Sequence, residues 1–449
     1  MTPDHLTPEL DALTRDGRAD EALALLDQAL AQDPANIPLQ AQRSAVLIEL
    51  RRFDEAMVLA EEILQQQPDQ LQAMNSLAVV LVEQNRLGDA FALFRRAFAL
   101  HPTNARLLAN YGNFLSYAGV HEAAIAAFTA AVSIAPQDRE IGVNHGMCLL
   151  RAGNFDDGWA AFEQRRRHQD PLELAGTPPL PPLSTSPNLD GRNVLVFHEQ
   201  GLGDSLQFIR YVPLLAARGA TVLLRMPPPL TRIAGSVAGC ACVVGEDDSV
   251  PDAEYVVPMM SLPRLFEANL ATIPAAIPYL HADPADLAYW REAVSSLPRP
   301  RIGLVWAGSP KGGLDHRRSI GFEMLAPIFE LPAGFVSLQL GEAGRQWAPP
   351  RHAAALDPTA QLRDFADTAA LICSLDLVIS VDTSTAHMAG ALGCPVFVLD
   401  RFDSCWRWLS GRSDSPWYPS LRLFRQPKPG DWAGAIAGAV AAFKSAPSS

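Results

Sequence analysis

Apolar and polar positions along this chain follow two periods, and the change between them divides it. Over the first third, small and apolar residues recur in a register of 34: Pro34, Pro68, Pro102 and Pro136 mark its ends. Twelve residues before each proline stands Ala22, Ala56, Ala90 or Ala124, eight before stands Leu26, Ala60, Phe94 or Phe128, and five before stands Ala29, Ile63, Ala97 or Ala131. Asn110-Tyr-Gly112 and Asn144-His-Gly146 repeat at the same interval. This predicts pairs of antiparallel helices, close-packed at the small residues and ended by proline. Beyond the prolines of 171–187 the pattern changes to short β-branched runs alternating with helical stretches. Strands are expected at 193–198, 221–225, 242–244, 255–258, 302–306, 335–339, 377–381, 395–399 and 421–424. Helices are expected at 205–218, 229–238, 322–331, 368–374, 386–392 and 432–443. Such alternation predicts parallel sheets with helices on both faces.

A period of 34 with small residues at fixed points is the tetratricopeptide pattern. The fold class expected is therefore α followed by α/β: a tetratricopeptide α-solenoid, then two Rossmann-like half-domains. The solenoid is placed at 1–170, with four clear repeats and a degraded fifth in which Gly158 replaces the alanine, Phe162 keeps the aromatic and Arg165 replaces the small residue. A semi-rigid proline-rich linker is expected at 171–191, a first half-domain at 192–297 and a second at 298–445. A solenoid presents a concave face that commonly takes a peptide or protein segment, or serves as a docking scaffold. Asn110 and Asn144 are the repeat positions assigned to such a partner.

Composition narrows the function classes. A net charge of −13 argues against a nucleic-acid surface. No apolar run reaches the ~20 residues of a membrane helix. The start MTPDHLTPEL lacks the basic and apolar pattern of a secretory signal. The six cysteines, Cys148, Cys240, Cys242, Cys373, Cys394 and Cys405, are scattered without metal-ligand spacing. A reduced, cytoplasmic protein without a metal site is expected.

Three segments carry candidate chemistry. Asp382-Thr383-Ser384-Thr385 supplies four side-chain oxygens where a helix should follow the strand 377–381, with His387 in its first turn. Hydroxyls and free N–H groups past a strand's C-terminal end suit phosphate, and one of the same residues as an N-cap is the plainer alternative. In the first half, Gly201-Leu-Gly203-Asp204-Ser205 follows the first strand. Gly201 and Gly203 allow close approach, and Asp204 is either a general base or a helix cap. In the second half, the loop 306–319 holds Gly308, Ser309, Lys311, Arg317 and Arg318, a cationic set suited to a diphosphate or merely solvated. Neither loop has the full dinucleotide or Walker signature. Trp406, Trp408, Trp417 and Tyr418 are assigned mainly to the core, with stacking on a sugar or base as the alternative.

The tandem halves, the early Gly-Leu-Gly-Asp and the late Asp-Thr-Ser-Thr-Ala-His resemble GT-B glycosyltransferases, and most closely the heptosyltransferases of glycosyltransferase family nine. With repeats in front, the chain is similar to bacterial tetratricopeptide–glycosyltransferase fusions, some of which modify flagellin. The resemblance implies an inverting, metal-independent transfer with no cofactor and a nucleotide-sugar as co-substrate. It implies Asp204 as the base, and Asp382, Thr383, Ser384 and His387 at the donor diphosphate. Ser384 replaces the family's glycine, so the donor is not carried over. The function expected is sugar transfer to a Ser/Thr hydroxyl of a protein held by the repeats. The alternatives are transfer to a lipopolysaccharide or surface polysaccharide, or a non-catalytic adaptor.

Overall fold

A computed structural model of the protein describes residues 9–10, 12–13, 17–166, 176–184, 188–310 and 314–445. The chain divides into two compact units, Met1–Cys148 and Leu149–Ser449.

In the first unit, helices α1 (Ala19–Gln32), α2 (Ile37–Glu49), α3 (Phe53–Gln66), α4 (Leu71–Glu83), α5 (Leu87–Leu100), α6 (Ala105–Tyr117) and α7 (His121–Ile134) follow one another, and α8 (Arg139–Arg151) runs out of it. The helices α1, α3, α5 and α7 each stop two residues before one of the periodic prolines. A proline two residues beyond the helix end cannot continue the ladder. Ala22, Ala56, Ala90 and Ala124 are fully buried, so the small residues do admit a neighbouring helix. Gly112 of α6 shows why that position is glycine: a Cβ there would stand 2.8 Å from Phe128 Cε2. Asn36, Gln70 and Asn104 cap α2, α4 and α6 by accepting from Leu39, Ala73 and Leu107 N–H.

The second unit begins earlier than the repeat register predicts. Helix α9 (Phe155–Phe162), the degraded fifth repeat, belongs to the α/β part. Its Trp159 is buried, donates Nε1–H to Ala268 O at 3.0 Å, and meets the rings of Phe208, Trp406 and Trp417 edge-on. Arg165, standing where the repeat wants a small residue, reaches Glu163, Glu199 and Ser261 at 2.7, 2.7 and 2.8 Å. Gly158, in the alanine position, still lies against Leu150 of α8, where a Cβ would be 2.8 Å away, while Trp159 and Arg165 anchor the helix on the α/β part. The expected solenoid boundary at 170 therefore falls too late, and compaction breaks the chain within α8.

The expected linker is also partly built in. Pro179 bridges Val256 in parallel, and Leu180 N–H donates to Val256 O at 2.8 Å. Prolines can line a sheet only at its edge; Leu180 N–H supplies one ladder bond, and Pro178 O accepts the other from Val256 N–H at 3.0 Å. Residues 171–175 and 185–187 of that segment lie outside the described residues.

Both sheets are parallel. The first has the order β3-β2-β1-β4, with β1 Asn193–Phe197, β2 Thr221–Met226, β3 Cys240–Gly245 and β4 Tyr255–Pro258. The second has the order β10-β9-β8-β5-β6-β7, with β5 Arg301–Val305, β6 Gly334–Ser337, β7 Ala354–Leu356, β8 Leu377–Val381, β9 Val396–Asp400 and β10 Leu421–Arg425. The main helices are α10 (Leu202–Phe208), α11 (Pro284–Ala293), α12 (Phe365–Ile372), α13 (Ser384–Ala391) and α14 (Trp432–Ser445). The expected helices at 205–218, 229–238 and 322–331 are instead short turns of helix interrupted by 3₁₀ segments. Pro213, Pro228 and Pro327 sit in their starts and break the longer run. Strand β7 and helix α11 were not anticipated. The core of the second sheet is Ile302, Leu304, Trp306, Ile328, Phe335, Ile379 and Val381, packed with Ile436 and Ala439 of α14.

Candidate functional site

Each sheet changes direction once, and the candidate turns lie at those points. In the first sheet β1 is flanked by β2 and β4, so the turn after β1 is at the switch. In the second, β5 and β8 are neighbours from which the chain proceeds outward both ways. The loops 306–319 and 382–385 follow those two strands. Crevices at the carboxyl ends of strands beside a switch point are the ligand positions of open parallel sheets.

The two turns abut. Helix α10 packs on α13. A Cβ on Gly203 would lie 2.9 Å from His387 Cδ2 and 3.4 Å from Ser384 Cα, so only glycine lets the helices come this close. In the turn before α10, Gln200 takes a left-handed φ of 60°, a strained position for a side-chain-bearing residue. His198 Nδ1 lies 2.7 Å from Ser205 Oγ.

Asp204 is buried at this junction, and both its oxygens are engaged. Oδ2 accepts Gly201 N–H at 3.0 Å, the reach-back of a capping box. Oδ1 is paired with Arg407. Arg407 also donates to Cys405 Sγ at 3.1 Å and lies 4.3 Å over the Trp406 ring. Burial alone would lower the Arg407 pKa; Asp204, Cys405 and Asp382 reverse this and raise it, so the guanidinium stays charged.

His387 is only 4% exposed, which places it inside the seam between the two helices. Its Nδ1 lies 2.9 Å from Tyr418 Oη, and its ring stacks on Trp408 with centroids 5.0 Å apart. Burial pushes its pKa down to about 4, against the pull of Asp382, so the ring is neutral near pH 7. This differs from an imidazole presented to a diphosphate: Trp408 and Tyr418 take the ring as a packing partner. Tyr418 in turn fits the notch left by Gly390, where a Cβ would be 2.5 Å from its ring.

At the start of α13 the oxygens do not cap the helix. Thr383 is the N-cap residue, yet its hydroxyl turns back to Ser380 Oγ at 2.9 Å. Asp382 and Thr385 are buried beside it and Ser384 is half-buried. The plainer reading of this segment, a side-chain cap, is therefore not what the geometry contains. Arg318 ties the cationic loop to the turn by donating Nη1–H to Asp382 O at 3.1 Å. Gly308 makes room for this, since a Cβ there would be 2.5 Å from Arg318 Nη2. Arg317 reaches Asp403 at 3.1 Å, and Ser309 is exposed. Lys311 lies outside the described residues. Among the site residues, then, Gly203, Asp204, Arg318 and 382–387 come together; Gly201 is exposed at the rim of the first turn.

Several residues at this edge were not anticipated. Arg407 is one, and its signal was an arginine between two tryptophans of a buried cluster. Asp400, at the end of β9, is fully buried; it accepts from Ser404 Oγ at 2.6 Å and Arg425 Nε at 2.9 Å. Burial raises its pKa to about 6 despite these partners. Trp406, Trp408, Trp417 and Tyr418 are all buried, in agreement with a core role.

In the solenoid, Asn110 is half-buried and donates its amide to Asn75 Oδ1 at 3.0 Å; Asn144 is half-buried one repeat later. A separate cavity of about 650 Å³ is lined by Trp159, Glu163, Leu180, Val256, Ser261 and Arg264, and none of the assigned site residues borders it. Among the described residues no helix is long and apolar enough to cross a membrane.

Comparison with known proteins bears first on the repeats. Tetratricopeptide repeat family models match residues 13–78 and 105–138. Protein FlbA of Caulobacter vibrioides is 29% identical over 310 residues, which are 62% of this chain and 50% of FlbA. The chain thus spans half the length of that relative. Among solved structures, a tetratricopeptide protein of Thermus thermophilus, TTC0263, is similar at 20% identity, covering 39% of this chain and 96% of its own, with a TM-score of 0.35. MamA of Desulfovibrio magneticus is similar at 20% identity, covering 38% and 94%, with a TM-score of 0.26. The repeats, a class of protein-interaction scaffold, precede a region of parallel sheets and helices.

Proposed function

We propose that Leu149–Ser449 is a GT-B glycosyltransferase that moves a sugar from a nucleotide-sugar to a Ser/Thr hydroxyl of a protein taken by the repeats. The observation carrying this reading is the meeting of two switch-point turns, one with a buried carboxylate and one with an uncapped helix start, at Gly203. The uncapped N–H groups of α13 and the Arg318 guanidinium suit the departing diphosphate. Asp204 takes the hydroxyl proton, the oxygen forms a bond to the anomeric carbon, and the bond to the diphosphate breaks with its electron pair leaving on phosphate. Proton transfer requires that Arg407 or Gly201 N–H release an oxygen of Asp204, and an anion at the α13 start would compete for Arg407. No metal enters this scheme, and flagellin is the first acceptor class to try.

Calorimetric titration with a panel of nucleotide-sugars comes first, followed by the mass of candidate acceptors. A donor should bind, and Asp204→Ala should abolish acceptor labelling while keeping donor binding. Labelling that survives this substitution removes Asp204 as the base.

A second reading has its own support. Both oxygens of Asp204 are occupied and His387 is buried, as in a packed core, which favours an adaptor whose α/β unit neither takes nor transfers a sugar. Absence of binding by every nucleotide-sugar tested favours this adaptor.

A further inference from the structure

Two thiols flank the segment that carries the candidate turn. Cys373 caps the end of α12, four residues before β8, and Cys394 follows α13, two residues before β9. Their sulfur atoms lie 3.9 Å apart. The backbone holds both in place. Cys373 N–H donates to Ala369 O at 2.9 Å, continuing the helix. Gly393 takes a φ of 73°, Gly393 N–H donates to Gly390 O at 3.1 Å, and Cys394 N–H donates to Ala389 O at 3.0 Å. That is a Schellman ending, in which the residue after the glycine has a set direction. Neither cysteine is fully buried, whereas Cys148 and Cys405 are.

We propose that Cys373 and Cys394 form a reversible disulfide under peroxide, closing residues 373–394 into a covalent ring around β8 and the Asp382–His387 turn. The Cys373 thiolate attacks a peroxide oxygen, the O–O bond breaks, and water leaves after protonation. The Cys373 sulfenic acid formed is then attacked by the Cys394 sulfur, the S–O bond breaks, and a second water leaves. One peroxide thus oxidises two thiols to one disulfide. The order of attack follows from the surroundings. The hydrogen bond from Cys394, with Arg291 assisting, lowers the Cys373 pKa, and that same bond with burial raises Cys394. A thiol favoured as thiolate is the one that meets the oxidant.

The chain must give up little to make the bond. Closing 3.9 Å to the ~2.0 Å of a disulfide asks the two sulfur atoms to approach by about 2 Å. A ring closed around these residues restrains the unfolded chain, so the oxidised protein should melt higher than the reduced one.

The test uses the full chain with hydrogen peroxide, and requires no substrate. Peptide mapping without reductant should yield a Cys373–Cys394 linked peptide, cleaved by dithiothreitol, and thiol titration should fall from six to four. In Cys394→Ser the attacking sulfur has no resolving partner, so dimedone should trap sulfenic acid at Cys373; in Cys373→Ser it should trap none at Cys394. Recovery of both as free thiols after the other accessible cysteines are oxidised, or a Cys240–Cys242 linkage alone, overturns the proposal. The outcome is independent of sugar transfer, so failure of either reading leaves the other standing.

Discussion

Gly203 and His387 concentrate the physical demands of the candidate site. Alanine at 203 would gain up to ~1 kcal/mol of helix propensity. It would also push a methyl to 2.9 Å from a ring held by stacking on Trp408 and by Tyr418 Oη at Nδ1. Overpacking of that kind costs about 1–3 kcal/mol, so Gly203→Ala should lower stability in urea denaturation. The histidine sets a pH dependence. Its folded pKa of about 4 lies below the ordinary 6.5, so the unfolded chain takes a proton that the fold refuses. The stability this contributes is complete above about pH 6.5 and is lost as pH falls toward 4, by up to ~3 kcal/mol. Asp400 acts with the opposite sign, because its folded pKa of about 6 lies above the usual 3.8. It gives stability back over much the same interval, so these two groups largely offset one another. His387→Gln removes one side of this balance. Its stability relative to wild type should improve steadily between about pH 7 and pH 4.5 in parallel denaturation curves.

Helices α5 and α6 show that the same residue type serves opposite ends within one repeat array. Gly88 in α5 has nothing within 4 Å of its missing Cβ, whereas Gly112 in α6 faces Phe128 at 2.8 Å. Gly88→Ala should therefore raise the melting point, by the ~0.5–1 kcal/mol that alanine gains in a helix. Gly112→Ala should lower it, and Phe128→Leu in the same chain should recover part of the loss. Helix α9 is the contrasting element, where repeat register survives in sequence and Trp159 and Arg165 reach into the α/β part. Arg165, 3% exposed at its side chain, neutralises Glu163 and Glu199. Arg165→Met takes the shared charge from two largely buried carboxylates, of which Glu163 keeps Arg264 and Arg166 at 3.8 and 3.9 Å. A loss of about 3–5 kcal/mol is expected, read as a drop in the denaturation midpoint.

For the molecule as a whole, the attachment of α9 determines where it can be divided. A fragment beginning at Leu149 keeps Trp159, Arg165 and the edge contact of Leu180 with Val256. One beginning at Arg192 strips the aromatic cluster of Trp159 and leaves Phe208, Trp406 and Trp417 partly uncovered. The first should unfold in one cooperative calorimetric transition, and the second should aggregate or bind a hydrophobic dye.

The 34-residue register marked where α1, α3, α5 and α7 end, because small side chains and a terminating proline act locally and repeat identically. The strands β1, β4 and β8 were likewise legible as β-branched runs bounded by turn residues, and so were the two turns that follow β1 and β8. Three things depended on contacts distant in the chain. Arg407 meets Asp204 across 203 positions, and no local pattern near either one announces the pairing. His387 looked available beside four oxygens, until Trp408 and Tyr418 enclosed it. The fifth repeat keeps its aromatic, Phe162, in register, and Trp159 beside it is buried against Phe208, Trp406 and Trp417. Local periodicity specifies elements, since their hydrogen bonds and caps are short-range. Which face each element buries, and which charges then meet, depends on surfaces that become neighbours only when the chain is folded.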